Sequence, residues 1–417
     1  KALGVKVTDD NGANIFLLYH FVLLIISLLF SYKIAVFLKL NLKTKILFFS
    51  ALYIILPILK KFTYLPVNTD ITAYTIGIAS LYYFLKKNKF GLTILWVLGS
   101  FAFPSMIYSG ALLVMFSESK DRIVFFDKYQ FIITRSITIL LVGLFVLGVA
   151  WITNTDYRSA ANSQTLHHKY LFFSFTLMLI YLYRLFRYMD YTNALGLLIN
   201  KKHIVWIVFA TTIFILIKLT IKQLGYYSLV NVNSSETYLK AILYGSIVNP
   251  LTSLVGHVAF YGPMLLLVVI FWKGISKEIN RLGISYFTFI CLFFILSIGR
   301  ESRQFINAWP FLVLPTIIYL NKKDFSWRFI ILLVVLSFVY SKFWFQINLP
   351  EMHIKNGLLR NPAQRFFMMN GAYMSYKTYN LHIIIELLTY CLIMVALYFE
   401  KPGKEVFYKL KKYVSQE

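Results

Sequence analysis

The sequence predicts an all-α, polytopic transmembrane bundle of about eleven spans plus one Pro-interrupted hairpin, on the evidence of charge content, run length and run pattern. Only 14% of the 417 residues are charged and 59% are hydrophobic, whereas soluble domains carry about 25% charged residues. About 20 apolar residues cross a bilayer core as a helix, and runs near that length recur along the chain. The runs are continuous rather than alternating, which excludes the strands of a membrane barrel.

Spans are expected at about 15–38, 45–60, 70–86, 132–152, 168–187, 203–218, 254–272, 285–299, 308–320, 327–347 and 380–399. Segment 91–116 is apolar but interrupted by Pro104, with Gly99, Ser100, Ser105 and Gly110 around it. Proline breaks a helix by removing an N–H and crowding the preceding turn, so two short helices are expected there. Residues 1–399 form one membrane domain, and 400–417 form a basic tail. No internal repeat or soluble domain interrupts it.

The net charge of +25 would point to nucleic acid in a soluble chain. In a membrane protein it orients the spans and meets anionic head groups. The loops 39–45, 86–90, 117–131, 188–202, 273–284 and 321–326, with the tail, carry the larger share of Lys and Arg. That face is therefore expected to be cytoplasmic, provided 91–116 returns to it. The outward pieces are then 1–14, 61–69, 153–167, 219–253, 300–307 and 348–379. Within 219–253, Asn233 and Glu236 have capping spacing, and Leu239, Ile242, Leu243 and Ile247 form one apolar stripe suited to an interfacial helix.

Cys291 and Cys391 lie inside apolar runs and offer neither a disulfide framework nor metal-ligand spacing. His167 and His168 adjoin in an outward loop, which is a weak metal signal, and His257 reads as an interior group of a span. There is no phosphate-cradling Gly-rich loop, no H-E-x-x-H and no G-x-S-x-G. The aromatics lie mostly in spans instead of alternating with the basic stretches, which argues against nucleic-acid binding.

The outward face is more basic than orientation requires. Arg300 and Arg303 stand in GRESRQF, and Lys355, Arg360, Arg365 and Lys377 stand in 348–379. A guanidinium offers a planar fork to phosphate oxygens, so the cluster suits a lipid phosphate or pyrophosphate; head-group anchoring and pairing with Glu301 are the plainer alternative. Asp70 opens a span, where a carboxylate caps the helix and complements its positive end, or contacts substrate or metal at the membrane surface.

Residues 69–116, TDITAYTIGIASLYYFLKKNKFGLTILWVLGSFAFPSMIYSGALLVMF, resemble the GT-C superfamily of membrane glycosyltransferases. Members have an acidic residue opening a span, a short basic turn and a Pro-interrupted hairpin, places held here by Asp70, Lys86-Lys87-Asn88-Lys89 and Pro104. Residues 299–320, GRESRQFINAWPFLVLPTIIYL, resemble the late segment in which an outward basic loop enters a Pro-bearing span, through Arg300, Arg303, Pro310 and Phe311. The superfamily's principal carboxylate lies in the first outward loop. The resemblance therefore implies a further span upstream of Lys1 and makes Asp10 a candidate, beside Asp9. The hairpin tip, Phe101 to Ser105, lacks the Arg or Lys that relatives often carry.

The resemblance implies inverting transfer of a sugar from a polyprenyl-phosphate donor to a glycan, lipid or protein acceptor, on the outer side of a bacterial plasma membrane. Asp10, Asp70 and Glu301 are the candidate catalytic acids, and Arg300, Arg303, Arg360, Arg365 and Lys355 the candidate phosphate-binding residues. No cofactor is fixed, and a divalent metal ion is left open. Two alternatives stand beside it. One is an O-antigen polymerase or ligase using polyprenyl pyrophosphate and the loop 348–379. The other is a lipid-linked sugar flippase, against which the charge-poor span interiors weigh, Lys33 being the exception.

Overall fold

A computed structural model of the chain describes residues 9–61, 69–116, 130–153, 171–189, 191, 201–224, 234–247, 249–299, 301–323, 325–344, 354–355, 358–359 and 376–400. Helix dominates them. The extended pairing among the described residues is a two-residue antiparallel ladder, Ile354–Lys355 with Leu358–Leu359.

The chain begins with α1 (Asp9–Phe37), α2 (Leu42–Tyr53) and α3 (Asp70–Leu85), then α4 (Lys89–Ala102) and α5 (Ser105–Met115). Asn41 caps α2 by accepting from Thr44 N at 2.9 Å, and Asn88 caps α4 through Gly91 N at 2.9 Å. The expected hairpin is α4 and α5. Phe103, before Pro104, takes the extended backbone that proline demands of its predecessor. Trp96 Nε1 donates to Ile107 O at 3.0 Å and ties the two helices together.

Next come α6 (Gln130–Thr153), α7 (Leu171–Phe186), α8 (Lys201–Leu224) and α9 (Ser234–Ile247). Helices α6, α7 and α9 form a satellite core around Phe145, Met178, Leu182, Leu243 and Ile247. The α9 stripe thus differs from its expected interfacial role. Ile242, Leu243 and Ile247 are buried against α6 and α7, while Leu239 is exposed. Neighbouring helices were closer at hand than lipid.

The expected span at 254–272 is two helices, α10 (Thr252–Tyr261) and α11 (Met264–Ile270). Gly262 between them adopts φ +82°, a left-handed conformation that glycine reaches without strain, and Pro263 follows. Then come α12 (Trp272–Arg281), α13 (Ile284–Leu296), a 3-10 turn at Ser302–Phe305, α14 (Trp309–Asn321), α15 (Trp327–Ser341) and α16 (Tyr376–Phe399).

Helix α14 is the axis of the main core. It touches α2, α3, α11, α12 and α13, and Trp309, Phe311, Leu312, Val313, Leu314 and Ile317 are at most 1% exposed. Pro315 lies inside it and cannot donate to the carbonyl of Phe311 one turn back. The Tyr286 hydroxyl donates to that carbonyl instead. The last carbonyls of α2 are completed the same way, by Trp309 Nε1 to Ala51 O at 2.8 Å and Tyr74 Oη to Leu52 O at 2.6 Å.

Among the described residues, four helices are long and apolar enough to cross a membrane: Asn14–Phe37, Gln130–Ile152, Ile204–Gln223 and Tyr379–Phe399. Much of their apolar surface faces outward, including Leu18, Phe131, Leu147, Val205 and Leu388. An apolar exterior of this extent suits a hydrocarbon surround.

The expectation of charge-poor span interiors, Lys33 apart, needs correcting at α15 and α16. Glu386, in α16, is 6% exposed. Lys342, which ends α15 at φ +55°, is buried with Nζ 3.4 Å from His382 Nε2. His382 lies one turn before Glu386, so both face the same side of α16.

Candidate functional site

Segment 301–308 is the point where the bundle's polar groups converge. It leaves α13, makes the 3-10 turn at Ser302–Phe305 and enters α14 at Trp309. Two side chains, Tyr261 and His257, hold its backbone and short side chains. The Tyr261 hydroxyl donates to Ser302 O at 2.7 Å, and Tyr261 stacks on Trp309 with ring centroids 4.5 Å apart. His257 Nδ1 lies 2.9 Å from Ser302 Oγ, and His257 Nε2 lies 2.8 Å from Ser297 O.

A carbonyl only accepts, so Nε2 carries the proton. The single Ser302 hydroxyl proton has two acceptors within reach, Gly256 O at 3.1 Å and His257 Nδ1 at 2.9 Å. Gly77 lets α3 approach from another side. A Cβ there would stand 2.3 Å from Asn307 O, closer than packed atoms allow. Asn307 is buried and meets the α5 hydroxyls, with Ser105 Oγ and Ser109 Oγ each 3.5 Å from its amide.

On this support sits an ion pair. Arg303 Nε donates to Asp70 Oδ1 at 2.9 Å and to Oδ2 at 3.2 Å. The carboxylate side chain is 4% exposed and the arginine 29%. Asp70 opens α3, where its charge also complements the positive helix end. His20, 2% exposed in α1, lies within electrostatic reach of Asp70, and its Nδ1 has no hydrogen-bond partner among the described residues. Glu301 is half-buried at the start of the turn and accepts from Gln304 Nε2 at 3.3 Å.

The structure therefore brings together Asp70, Arg303 and, two residues from the arginine, Glu301. Asp10 is in the first turn of α1, ten residues before His20, about 15 Å along the helix axis. It is not part of the cluster as far as its backbone shows. Arg300, Arg360 and Arg365 lie outside the described residues, as do His167 and His168, and of Lys355 only the backbone in the short ladder is described. Among the described residues no group of three or more His, Cys, Asp or Glu could hold a metal ion. Lys342 and Glu386 stand elsewhere, between α15 and α16.

No protein-family model, curated protein or solved structure matches the chain. What the site can do follows from its own groups. A buried carboxylate grips one edge of a guanidinium whose side chain keeps nearly a third of its surface open. That arrangement fixes an arginine for an anion, and Glu301, two residues earlier in the chain, is a half-buried acid that accepts from Gln304. Sequence reasoning missed His20, Tyr261, Ser302 and Asn307. His257 was read as an interior group, and it is one. The Gly256–His257 and Asn307 positions carry no pattern of their own, because their partners lie dozens to hundreds of residues away.

Proposed function

We propose that the protein is an integral membrane glycosyltransferase that takes a sugar from a polyprenyl-phosphate donor at the outward face of a bacterial plasma membrane. In this reading the short apolar helices pair with the four long ones to give about eleven spans, and the basic loops face the cytoplasm. The observation that carries it is the Asp70–Arg303 ion pair on a rigidly held turn between two membrane helices.

Asp70 is a positioning residue. It is too buried to reach a sugar hydroxyl, but it aims the guanidinium. Arg303 binds the donor phosphate. Negative charge on that phosphate grows as the glycosidic bond breaks, so a preplaced cation stabilises the transition state more than the ground state. Glu301, the more accessible acid, accepts the proton of the attacking hydroxyl, which must come within hydrogen-bond distance. The hydroxyl oxygen bonds to the anomeric carbon as the polyprenyl phosphate departs from the opposite face, inverting the centre.

A second reading draws on one observation. Lys342, His382 and Glu386 are ionisable groups buried between two helices, the kind of group that lines transport paths. Purified protein in liposomes, given short-chain polyprenyl-phosphate hexoses and an acceptor extract, separates the two. The transferase reading expects acceptor-dependent release of polyprenyl phosphate, lost in Arg303→Ala and Glu301→Gln but kept in Glu386→Gln. Release that survives both of the first two variants would overturn it. Movement of intact donor across the bilayer, abolished by Glu386→Gln, would establish the transporter instead.

A further inference from the structure

Helices α2 and α14 run between two polar ends. Ala51 and Trp309 mark the end at the Asp70–Arg303 site. The opposite end, at Asn41 to Thr44 and Leu320 to Phe325, holds two adjoining cavities of about 340 and 710 Å³ that share Lys43 and Phe325. We propose that these cavities bind the phosphate head group of an anionic phospholipid, with Lys43, Lys323 and Arg328 as its cationic ligands.

The first cavity is lined by Asn41, Lys43, Thr44, Lys323 and Phe325, among others. Its charged lining is Lys43 and Lys323. The Lys43 ammonium is held in place by donating to Phe325 O at 2.8 Å and by lying 6.0 Å from the Trp327 ring centroid. The second cavity adds Arg328, Trp327, Leu332, Phe399 and Glu400. Arg328 is exposed, so it is open to a ligand from the membrane surface.

Glu400 is the described carboxylate here, and it is already engaged. Ser326 caps α15 by accepting from Phe329 N at 3.3 Å, and Glu400 holds that cap, accepting from Ser326 N at 2.8 Å and from the Ser326 hydroxyl. Asn41 likewise caps α2. With both helix ends closed by the protein's own groups, an incoming anion is held by the three side-chain cations. Asp324 lies outside the described residues.

The chemistry of the rim selects a lipid over a free anion. Trp327 is 42% exposed and Phe399 is 73% exposed. An indole at the head-group level and apolar side chains below it suit an acyl chain descending from a phosphate. Basic pockets between membrane helices favour anionic head groups for this reason, each Lys or Arg near the surface strengthening attraction about fivefold. The site is at the far end of α2 and α14 from Arg303, and its occupancy does not depend on the reaction assigned there.

The test uses the full chain in neutral detergent. Short-chain phosphatidylglycerol, short-chain phosphatidylcholine and inorganic phosphate are titrated separately, and bound lipid is counted by native mass spectrometry. Phosphatidylglycerol is expected to bind well ahead of phosphatidylcholine, and phosphate is not expected to displace it. Lys43→Gln and Arg328→Gln are each expected to weaken phosphatidylglycerol by about fivefold, with Lys43→Arg and the exposed Lys277→Gln binding as the parent does. Arg328 is a surface residue, so its variant keeps the test alive if the Lys43 change disturbs folding. Equal binding of both lipids, or undiminished binding by Arg328→Gln and Lys43→Gln, overturns the proposal. Displacement of the lipid by phosphate alone makes this a free-anion site and also overturns it.

Discussion

Replacing Arg303 with Gln is expected to cost far more stability than replacing Asp70 with Asn, although the two residues are partners. The difference follows from their exposures. Without the guanidinium, the Asp70 side chain, at 4% exposure, loses the donor that stands 2.9 and 3.2 Å from its two oxygens. Breaking a buried pair by removing one partner costs about 3–5 kcal/mol. Without the carboxylate, the arginine is left at 29% exposure, on a stem long enough to turn its charge toward water or head groups. The amide of Asn still accepts from Nε, so only the charge assistance is lost, about 1–2 kcal/mol. The double variant Asp70→Asn/Arg303→Gln removes both charges of the pair and should be more stable than Arg303→Gln alone. Reversible unfolding in mixed micelles titrated with sodium dodecyl sulfate gives the three free energies and the coupling between the sites. Equal losses from the two single variants, or a double variant whose loss is their sum, would refute the reasoning.

Three further outcomes follow from contacts of the same kind. Gly77→Ala should destabilise by about 1–3 kcal/mol, because its new Cβ meets the Asn307 carbonyl, main chain that cannot swing aside; a melting temperature unchanged from the parent contradicts that. Tyr286→Phe leaves the Phe311 carbonyl without its hydroxyl donor, at about 1–3 kcal/mol, and adding Pro315→Ala should recover much of the loss by restoring the helical N–H. No recovery would show that the hydroxyl serves some other group. Lys342→Met removes the buried cation that stands 3.4 Å from His382 Nε2 and within electrostatic reach of Glu386, and should cost about 1–3 kcal/mol. Lys342→Met/Glu386→Gln should then unfold at higher detergent than Lys342→Met alone, and the opposite order would dismiss the electrostatic coupling.

Much of the helical framework was legible because each segment announces itself locally. Pro104 broke 91–116 where expected, Asn41 and Asn88 stand as caps, and Asp70 opens its helix. The candidate site was legible only as two unconnected halves. A carboxylate at a helix start and an arginine in GRESRQF can each be read, but their pairing spans 233 positions and has no period to reveal it. Glu386 was visible in plain sequence, as HIIIELL, yet an apolar average over twenty residues absorbs one carboxylate. The Gly262–Pro263 break was equally visible, and there the hydropathy of the flanking residues outweighed a strong breaker signal. The Tyr286 hydroxyl, by contrast, answers a gap opened by Pro315 from another helix, and no local rule predicts the donor.

The helices differ in length in an orderly way. Helix α6 has 24 residues and α8 has 24, whereas α14 has 13 and α13 has 13. At 1.5 Å per residue the outer pair reach about 36 Å and the central pair about 20 Å, against a hydrocarbon layer about 30 Å thick. A turn that joins two helices shorter than that layer, as the Arg303 turn joins α13 and α14, draws its charges toward the hydrocarbon of a bilayer, where salt screens them poorly.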